Sequence, residues 1–206
     1  SLGWKHKVLL IFDEVISGFR VAFGGATELY GIQPDIVTYG KIIGGGLPVG
    51  AYGASNEIMA SVSPEGPVYQ AGTLSGNPVA MAAGIAQLEL CLAPDFYKEM
   101  EAKTRAFVSR INAYASVKQY DFELISLASI FWLNFNGKKS IHRADEINPD
   151  MSLFNQLHAY LLDHGVYIGP SGYEVGFVSS AHTDSDLSFA AEQFCMGLDY
   201  IYAGTN

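Results

Sequence analysis

"PDIVTYGKIIGGGLPVGAYG" (Pro34–Gly53) holds an apolar run, a lone lysine, three consecutive glycines and a second, weaker run. The first run, "DIVTYG" (Asp35–Gly40), is continuous rather than alternating, the form of a strand buried in a parallel sheet. "VGAYGAS" (Val49–Ser55) is a weaker version of it, and upstream "VLLIF" (Val8–Phe12) is a continuous apolar run ending in charge. Three such runs close together predict an α/β sheet with parallel strands. Between Thr38 and Gly53 only Lys41 carries charge. A lysine among apolar and glycine neighbours must reach water, find an anion or lose its proton, because burying an unpaired ammonium is strongly unfavourable.

The 206 residues, 49% hydrophobic and 16% charged, suffice for one large domain or two small ones with real cores. A formal net charge of -9 and the absence of any lysine and arginine cluster work against a nucleic-acid partner. No apolar run is long enough for a membrane helix, and the opening "SLGWKHK" does not lead into a signal peptide, so the expected location is cytoplasmic with no membrane partner. Cys91 and Cys195 each lie in an apolar helical pattern and read as buried free thiols. The histidines offer no HExxH pair, and His158 and His164 point to different faces of one helix, so no metal is assigned.

Downstream, "GNPVAMAAGIAQLELCL" (Gly76–Leu92) predicts a long, closely packed helix with Asn77 as N-cap and Pro78 in its first turn. Pro94 ends it or begins the next, "DFYKEMEAKTRAFVSRINAY" (Asp95–Tyr114). From about Lys118 the texture becomes α+β. A strand is expected at Ser129–Phe135, a helix at Ser152–Gly165 stopped by Gly165, and a final amphipathic helix at Asp186–Tyr202. "VYIG" (Val166–Gly169) and "VGFVS" (Val175–Ser179) complete a small sheet. The boundary falls near residue 100, giving domains 1–100 and 101–206. Three strands alone would leave a parallel sheet with an open edge and poorly covered faces, so further structure is expected upstream of Ser1.

Asp13 and Glu14 follow the first strand and Lys41 follows the second, so carboxylate and lysine, 28 residues apart for Asp13, face one crevice at the carboxyl edge where open parallel sheets bind ligands. A salt bridge and a chemical pair both satisfy that spacing. Gly44, Gly45 and Gly46 permit tight turns and close approach by a flat ligand. A phosphate loop of the Walker type would place its lysine after the glycines, and no GxGxxG occurs. One chemistry that needs a lysine beside a buried aspartate is the Schiff base of pyridoxal phosphate, with the aspartate keeping the pyridine nitrogen protonated.

"LIFDEVISGFR" (Leu10–Arg20), "PDIVTYGKIIGGGLPVGAYG", "YQAGTLSGNPVAMAAG" (Tyr69–Gly84) and "GPSGYEVGFVSSAHT" (Gly169–Thr183) together resemble the class III (subgroup II) aminotransferases of fold type I, and within them most closely the aminomutases. The resemblance runs from Val8 to about Tyr202. It implies part of a fold type I large domain, a mostly parallel sheet with helices, followed by an α+β carboxyl-terminal small domain. Family chains are about twice as long, so this one corresponds to the carboxyl half. The implied cofactor is pyridoxal 5'-phosphate, cycling through pyridoxamine 5'-phosphate. The implied reaction converts the amino-aldehyde glutamate-1-semialdehyde to 5-aminolevulinate for tetrapyrrole synthesis.

By the same resemblance Lys41 is the cofactor lysine and proton shuttle, its apolar setting favouring the neutral amine, and Asp13 partners the pyridine nitrogen. Val15 packs on one face of the ring. Thr73, with Gly72 keeping the backbone close, hydrogen-bonds the phosphate of the neighbouring subunit, which implies a homodimer with shared active sites. Tyr69 and Gln70 reach the same pocket. Glu174, expected between two short strands, faces the substrate's amino groups, and otherwise it is a carboxylate paired with an arginine or lysine. Glu14 and Arg20 are expected to be structural, paired near the strand end. Glutamyl-tRNA reductase is a further partner by family resemblance. The rivals are a class III ω- or β-amino acid transaminase, against which Glu174 weighs, and a noncatalytic fragment.

Overall fold

The computed structural model describes His6, residues 8–136 and residues 141–203. The chain forms two compact units, Ser1–Tyr97 and Lys98–Asn206.

In the first unit, β1 (Ile11–Asp13), α1 (Gly25–Tyr30), β2 (Ile36–Tyr39), a 3₁₀ turn (Lys41–Gly44), β3 (Ala51–Ala54), α2 (Asn56–Met59) and α3 (Pro78–Cys91) follow in order. The sheet runs β1-β2-β3. β1 is parallel to β2 with Asp13 opposite Thr38, whereas β3 is antiparallel to β2 with Tyr52 opposite Thr38, which corrects the expectation of an all-parallel set. The connection from β2 to β3 is too short for the crossover that a parallel pair requires.

The first strand also differs from expectation. Only Ile11–Asp13 are in the ladder, and Val8 and Ile11 are 62% and 58% exposed rather than buried. A strand is buried on both faces only where layers cover both, and β1 is at the edge of a three-stranded sheet in the described residues. α3 begins as its sequence dictates. The Asn77 side chain accepts hydrogen bonds from the N–H groups of Val79 (3.0 Å) and Ala80 (3.2 Å), and Pro78 occupies the first turn, where its missing N–H is harmless. Its close packing is confined to one face, for Val79, Ile85 and Leu90 are exposed.

The second unit contains α4 (Phe96–Lys118, most of its length), β4 (Glu123–Leu127), β5 (Ile130–Asn134), α5 (Ser152–Asp163), β6 (Gly176–Phe177) and α6 (Asp184–Ala203). Ile111, Leu157, Leu161 and Leu198, from three helices, are fully buried, and Phe107 meets Phe194 edge-on with ring centroids 5.8 Å apart. Asn112 on α4 holds β4 at both ends of its amide: Nδ2 donates to Leu124 O at 2.8 Å and Oδ1 accepts from Leu124 N at 2.7 Å.

Gly165 takes the left-handed conformation expected of a helix stop, φ +80°. The segment Val166–Gly169 is not a strand, because the first of its N–H groups, that of Val166, closes the end of α5 on Leu161 O at 2.8 Å instead of entering a ladder. Glu174 accordingly precedes β6 but follows no strand. Both cysteines are free, Cys91 buried and Cys195 only partly so, with burial raising the Cys195 thiol pKa. Among the described residues no single helix is long and apolar enough to cross a membrane.

Asp199 on α6 joins the end of α4 to the chain beyond it. Tyr114 and Tyr120 each donate a hydroxyl to it at 2.7 Å, and Lys118 Nζ lies 3.5 Å away. The bond from Tyr114, opposed by burial and helped by Tyr120 and Lys118, holds its carboxyl below the ordinary value. A depressed carboxyl pKa adds stability above the unfolded value, about 3.9, and that stability is lost as pH falls through the folded value. Asp199→Asn is therefore expected to lower stability at neutral pH and to flatten the acid limb of the unfolding profile below about pH 4. An unchanged acid limb, measured by circular dichroism, would count against the role.

Candidate active site

The pairing of β1 with β2 decides what Asp13 and Lys41 can do. Asp13 closes β1 opposite Thr38, and Lys41 leaves β2 three residues after Thr38, so both emerge at one carboxyl edge of the sheet. Asp13 Oδ1 accepts from Val15 N at 3.0 Å and lies 3.5 Å from Thr38 Oγ1. Among the described residues no hydrogen bond reaches its other oxygen. Val15 stands beside Gly40, where an added Cβ would come within 3.2 Å of Val15 Cγ1. The aspartate, the valine and the residue before the lysine are thus one local group.

Lys41 is exposed, so of its three possible fates the structure shows the first, and among the described residues the expected apolar enclosure is absent. The second feature of Lys41 is its backbone. With φ +50° it occupies the left-handed region, costing a residue with a Cβ about 1 kcal/mol, a conformation found preferentially where geometry serves function. The glycines that follow explain how this is held. Gly45 (φ +56°) and Gly46 (φ +91°) form the turn, and a Cβ at Gly45 would overlap the carbonyl of Ala83 on α3. Conversely a Cβ at Gly84 on α3 would overlap the carbonyl oxygen of Ile43. Backbone, rather than a flat ligand, makes the close approach at Gly45.

Gly72 and Thr73 lie in an exposed turn closed by a hydrogen bond from Ser75 N to Gly72 O at 3.0 Å. Together with Gln70, Ile43, Val49 and Ile85 they line a cleft of about 750 Å³ to which Lys41, Asp13 and Val15 do not contribute. Tyr69 is 82% exposed. Glu174 belongs to the second unit. It is exposed, its N–H donates to Ser171 O at 2.9 Å, and its carboxylate lies over Gly169, where a Cβ would overlap Oε2. Among the described residues no salt bridge involves it.

Glu14 is the residue whose place the sequence conceals. Only 1% exposed, it does not take Arg20 as its partner at these oxygens. Oε1 accepts from Thr27 N (2.7 Å) and Thr27 Oγ1 (2.9 Å), and Oε2 accepts from Ala26 N (3.0 Å) and the Ser17 hydroxyl. Burial alone would raise its pKa, and these bonds outweigh burial and hold the carboxyl below its ordinary value. What the carboxylate answers lies at α1, whose N-cap position is Gly24, with no side chain to accept from the first N–H groups.

The family model described as aminotransferase class-III matches residues 1–195. A curated protein of Francisella philomiragia, named glutamate-1-semialdehyde 2,1-aminomutase, is 51% identical over 185 residues, covering 89% of this chain and 43% of its own length. The chain therefore spans less than half the length of the curated relatives it matches. Among solved structures, a β-phenylalanine aminotransferase from Variovorax paradoxus superposes with a TM-score of 0.86 at 26% identity, covering 98% of this chain and 46% of that one. A transaminase with pyridoxal phosphate bound gives a TM-score of 0.84 at 27% identity, with 98% and 46% covered.

Proposed function

Since the chain belongs to the class-III aminotransferase family, we propose that it carries the lysine and aspartate of a pyridoxal-phosphate aminomutase that converts glutamate-1-semialdehyde to 5-aminolevulinate. The observation that carries this reading is the 51% identity with a relative of that name, in a chain whose first two strands bring Asp13 and Lys41 to one edge.

The residues present fit the cofactor. An exposed amine, a carboxylate with one oxygen free of hydrogen bonds among the described residues, and an apolar valine beside them supply a covalent anchor, a counter-charge and a ring contact. Pyridoxal phosphate, when bound, supplies a conjugated ring that accepts electrons from the substrate carbon. Lys41 Nζ then takes and returns the proton at that carbon, and Asp13 holds a proton at the ring nitrogen. Val15 limits the tilt of the ring. The hydroxyl of Thr73 would donate to the phosphate, and its placement in a cleft to which Lys41, Asp13 and Val15 do not contribute supports a homodimer in which the turn serves the partner's site. Glu174, exposed and unpaired by any cation among the described residues, receives the amino groups of the substrate. Glutamyl-tRNA reductase as a supplier of the aldehyde rests on the family resemblance.

Borohydride reduction of the whole protein loaded with pyridoxal phosphate is expected to fix a pyridoxyl group on Lys41, read by peptide mass mapping. Label on a different lysine removes the central assignment. In the same preparation, glutamate-1-semialdehyde is expected to give 5-aminolevulinate with no added keto acid. A strict requirement for an amino acceptor would move the reading to an ω- or β-amino acid transaminase, the activity named for the solved neighbours at 26% identity.

A further inference from the structure

We propose that Glu14 is a positioning residue of the Asp13–Lys41 edge, its buried carboxylate tying the chain that leaves β1 to the first turn of α1 and so holding Asp13 and Val15 against the strand that ends at Lys41. The inference rests on the functional reading above and adds a residue to it.

Glu14 sits between Asp13 and Val15, and it bonds in three directions. Its N–H donates to Thr38 O of β2 at 2.9 Å, continuing the β1–β2 pairing one residue past the ladder. Its carbonyl accepts from Gly18 N at 2.9 Å, starting the turn. Its carboxylate holds Ser17, Ala26 and Thr27. The loop so gathered returns to β2, because Gly18 lies against the Tyr39 ring with no room for a Cβ, and Phe19 meets Tyr39 at a centroid distance of 5.4 Å. Tyr39 is two residues before Lys41. The side chain therefore gathers the loop, and the loop together with the Glu14 N–H reaches β2 at the edge from which the chemical groups project.

The chemistry of the acceptor set specifies glutamate. Two of the four donors are backbone N–H groups, one on each carboxylate oxygen, and neither can turn round to accept. In Glu14→Gln the amide NH₂ must therefore face one backbone N–H, whichever way it is oriented. The near-isosteric change leaves a buried donor opposed to a donor and loosens the loop without altering Asp13, Val15 or Lys41. Gly25, at φ +69°, lies against the carboxylate, and an added Cβ there would come within 2.5 Å of Glu14 Oε2, so the loop leaves space for this carboxylate only with glycine at that position.

The test uses the whole protein and pyridoxal phosphate. In the parent, borohydride labelling at Lys41 checks the underlying reading by itself, and its failure there sinks that reading rather than this one. Given labelling, Glu14→Gln is expected to label at the same lysine at saturating cofactor, to bind pyridoxal phosphate roughly tenfold more weakly, and to lose kcat by a similar factor with little change in KM. Its visible cofactor band should shift, since the ring's partner Asp13 is less well held. A merely structural glutamate would lower the melting temperature and leave affinity, band and kcat unchanged below it, and that result overturns the proposal. Should Glu14→Gln not fold, Thr27→Val, which removes one hydroxyl donor and keeps the backbone N–H, is expected to weaken cofactor affinity by about twofold to fivefold. Parent-like affinity and band in folded Thr27→Val would then overturn the proposal as well.

Discussion

Asp13→Asn in the whole protein is expected to lower turnover by about a thousandfold or more while pyridoxal phosphate still attaches to Lys41. The substitution keeps size and keeps an oxygen that can accept from Val15 N, the 3.0 Å bond that orients the side chain at the end of β1. What it removes is the negative charge. A neutral amide does not stabilise a proton on the ring nitrogen, and without that proton the ring is a poor acceptor for electrons leaving the substrate carbon. On the proposed reading, attachment of the cofactor depends on the amine of Lys41, which emerges separately from β2, so labelling and turnover should part company. Single-turnover kinetics on the labelled variant is the measurement. Undiminished turnover would mean that Asp13 only balances charge.

The second large effect concerns stability. Gly84→Leu is expected to destabilise the protein by about 3 kcal/mol or more. The position lies inside α3, where a leucine would ordinarily improve on glycine by nearly 1 kcal/mol of helix propensity. Here a Cβ has no space, for it would overlap the carbonyl oxygen of Ile43 in the turn that carries Lys41. The obstacle is backbone rather than a flexible side chain, so relief requires α3 to move away from the turn. Gly84→Ala separates the two effects: propensity alone predicts a gain in the denaturation midpoint, and the clash predicts a loss. A gain would show that the helix and the turn are not held as closely as their glycines indicate.

Much of this was legible in one dimension. Asn77 and Pro78 announced the start of α3, Gly165 announced the end of α5, and the apolar runs before Asp13 and Lys41 announced adjacent strands, because caps, left-handed stops and ladder residues are local choices of the chain. The motifs around Lys41 and Thr73 also carried the family. Other features had no local signature. β4 went unseen because its two-residue turn to β5, Ala128 and Ser129, bends through an alanine at φ +50° and lacks the glycine or asparagine that marks a hairpin. The exposure of Lys41 and of the Val8–Ile11 run depends on which layers cover the sheet, and composition does not report coverage. Above all, Glu14 is bonded to residues 12 and 13 positions away, whose need for an acceptor exists only once α1 has formed with a glycine at its cap. The sequence by itself determined the first two strands, most of the helices and the placement of Asp13 and Lys41 at the ends of those strands. Tertiary structure alone decided which carboxylate is buried beside that edge and which donors it satisfies, because hydrogen-bond satisfaction is a property of the folded neighbourhood and not of the residue.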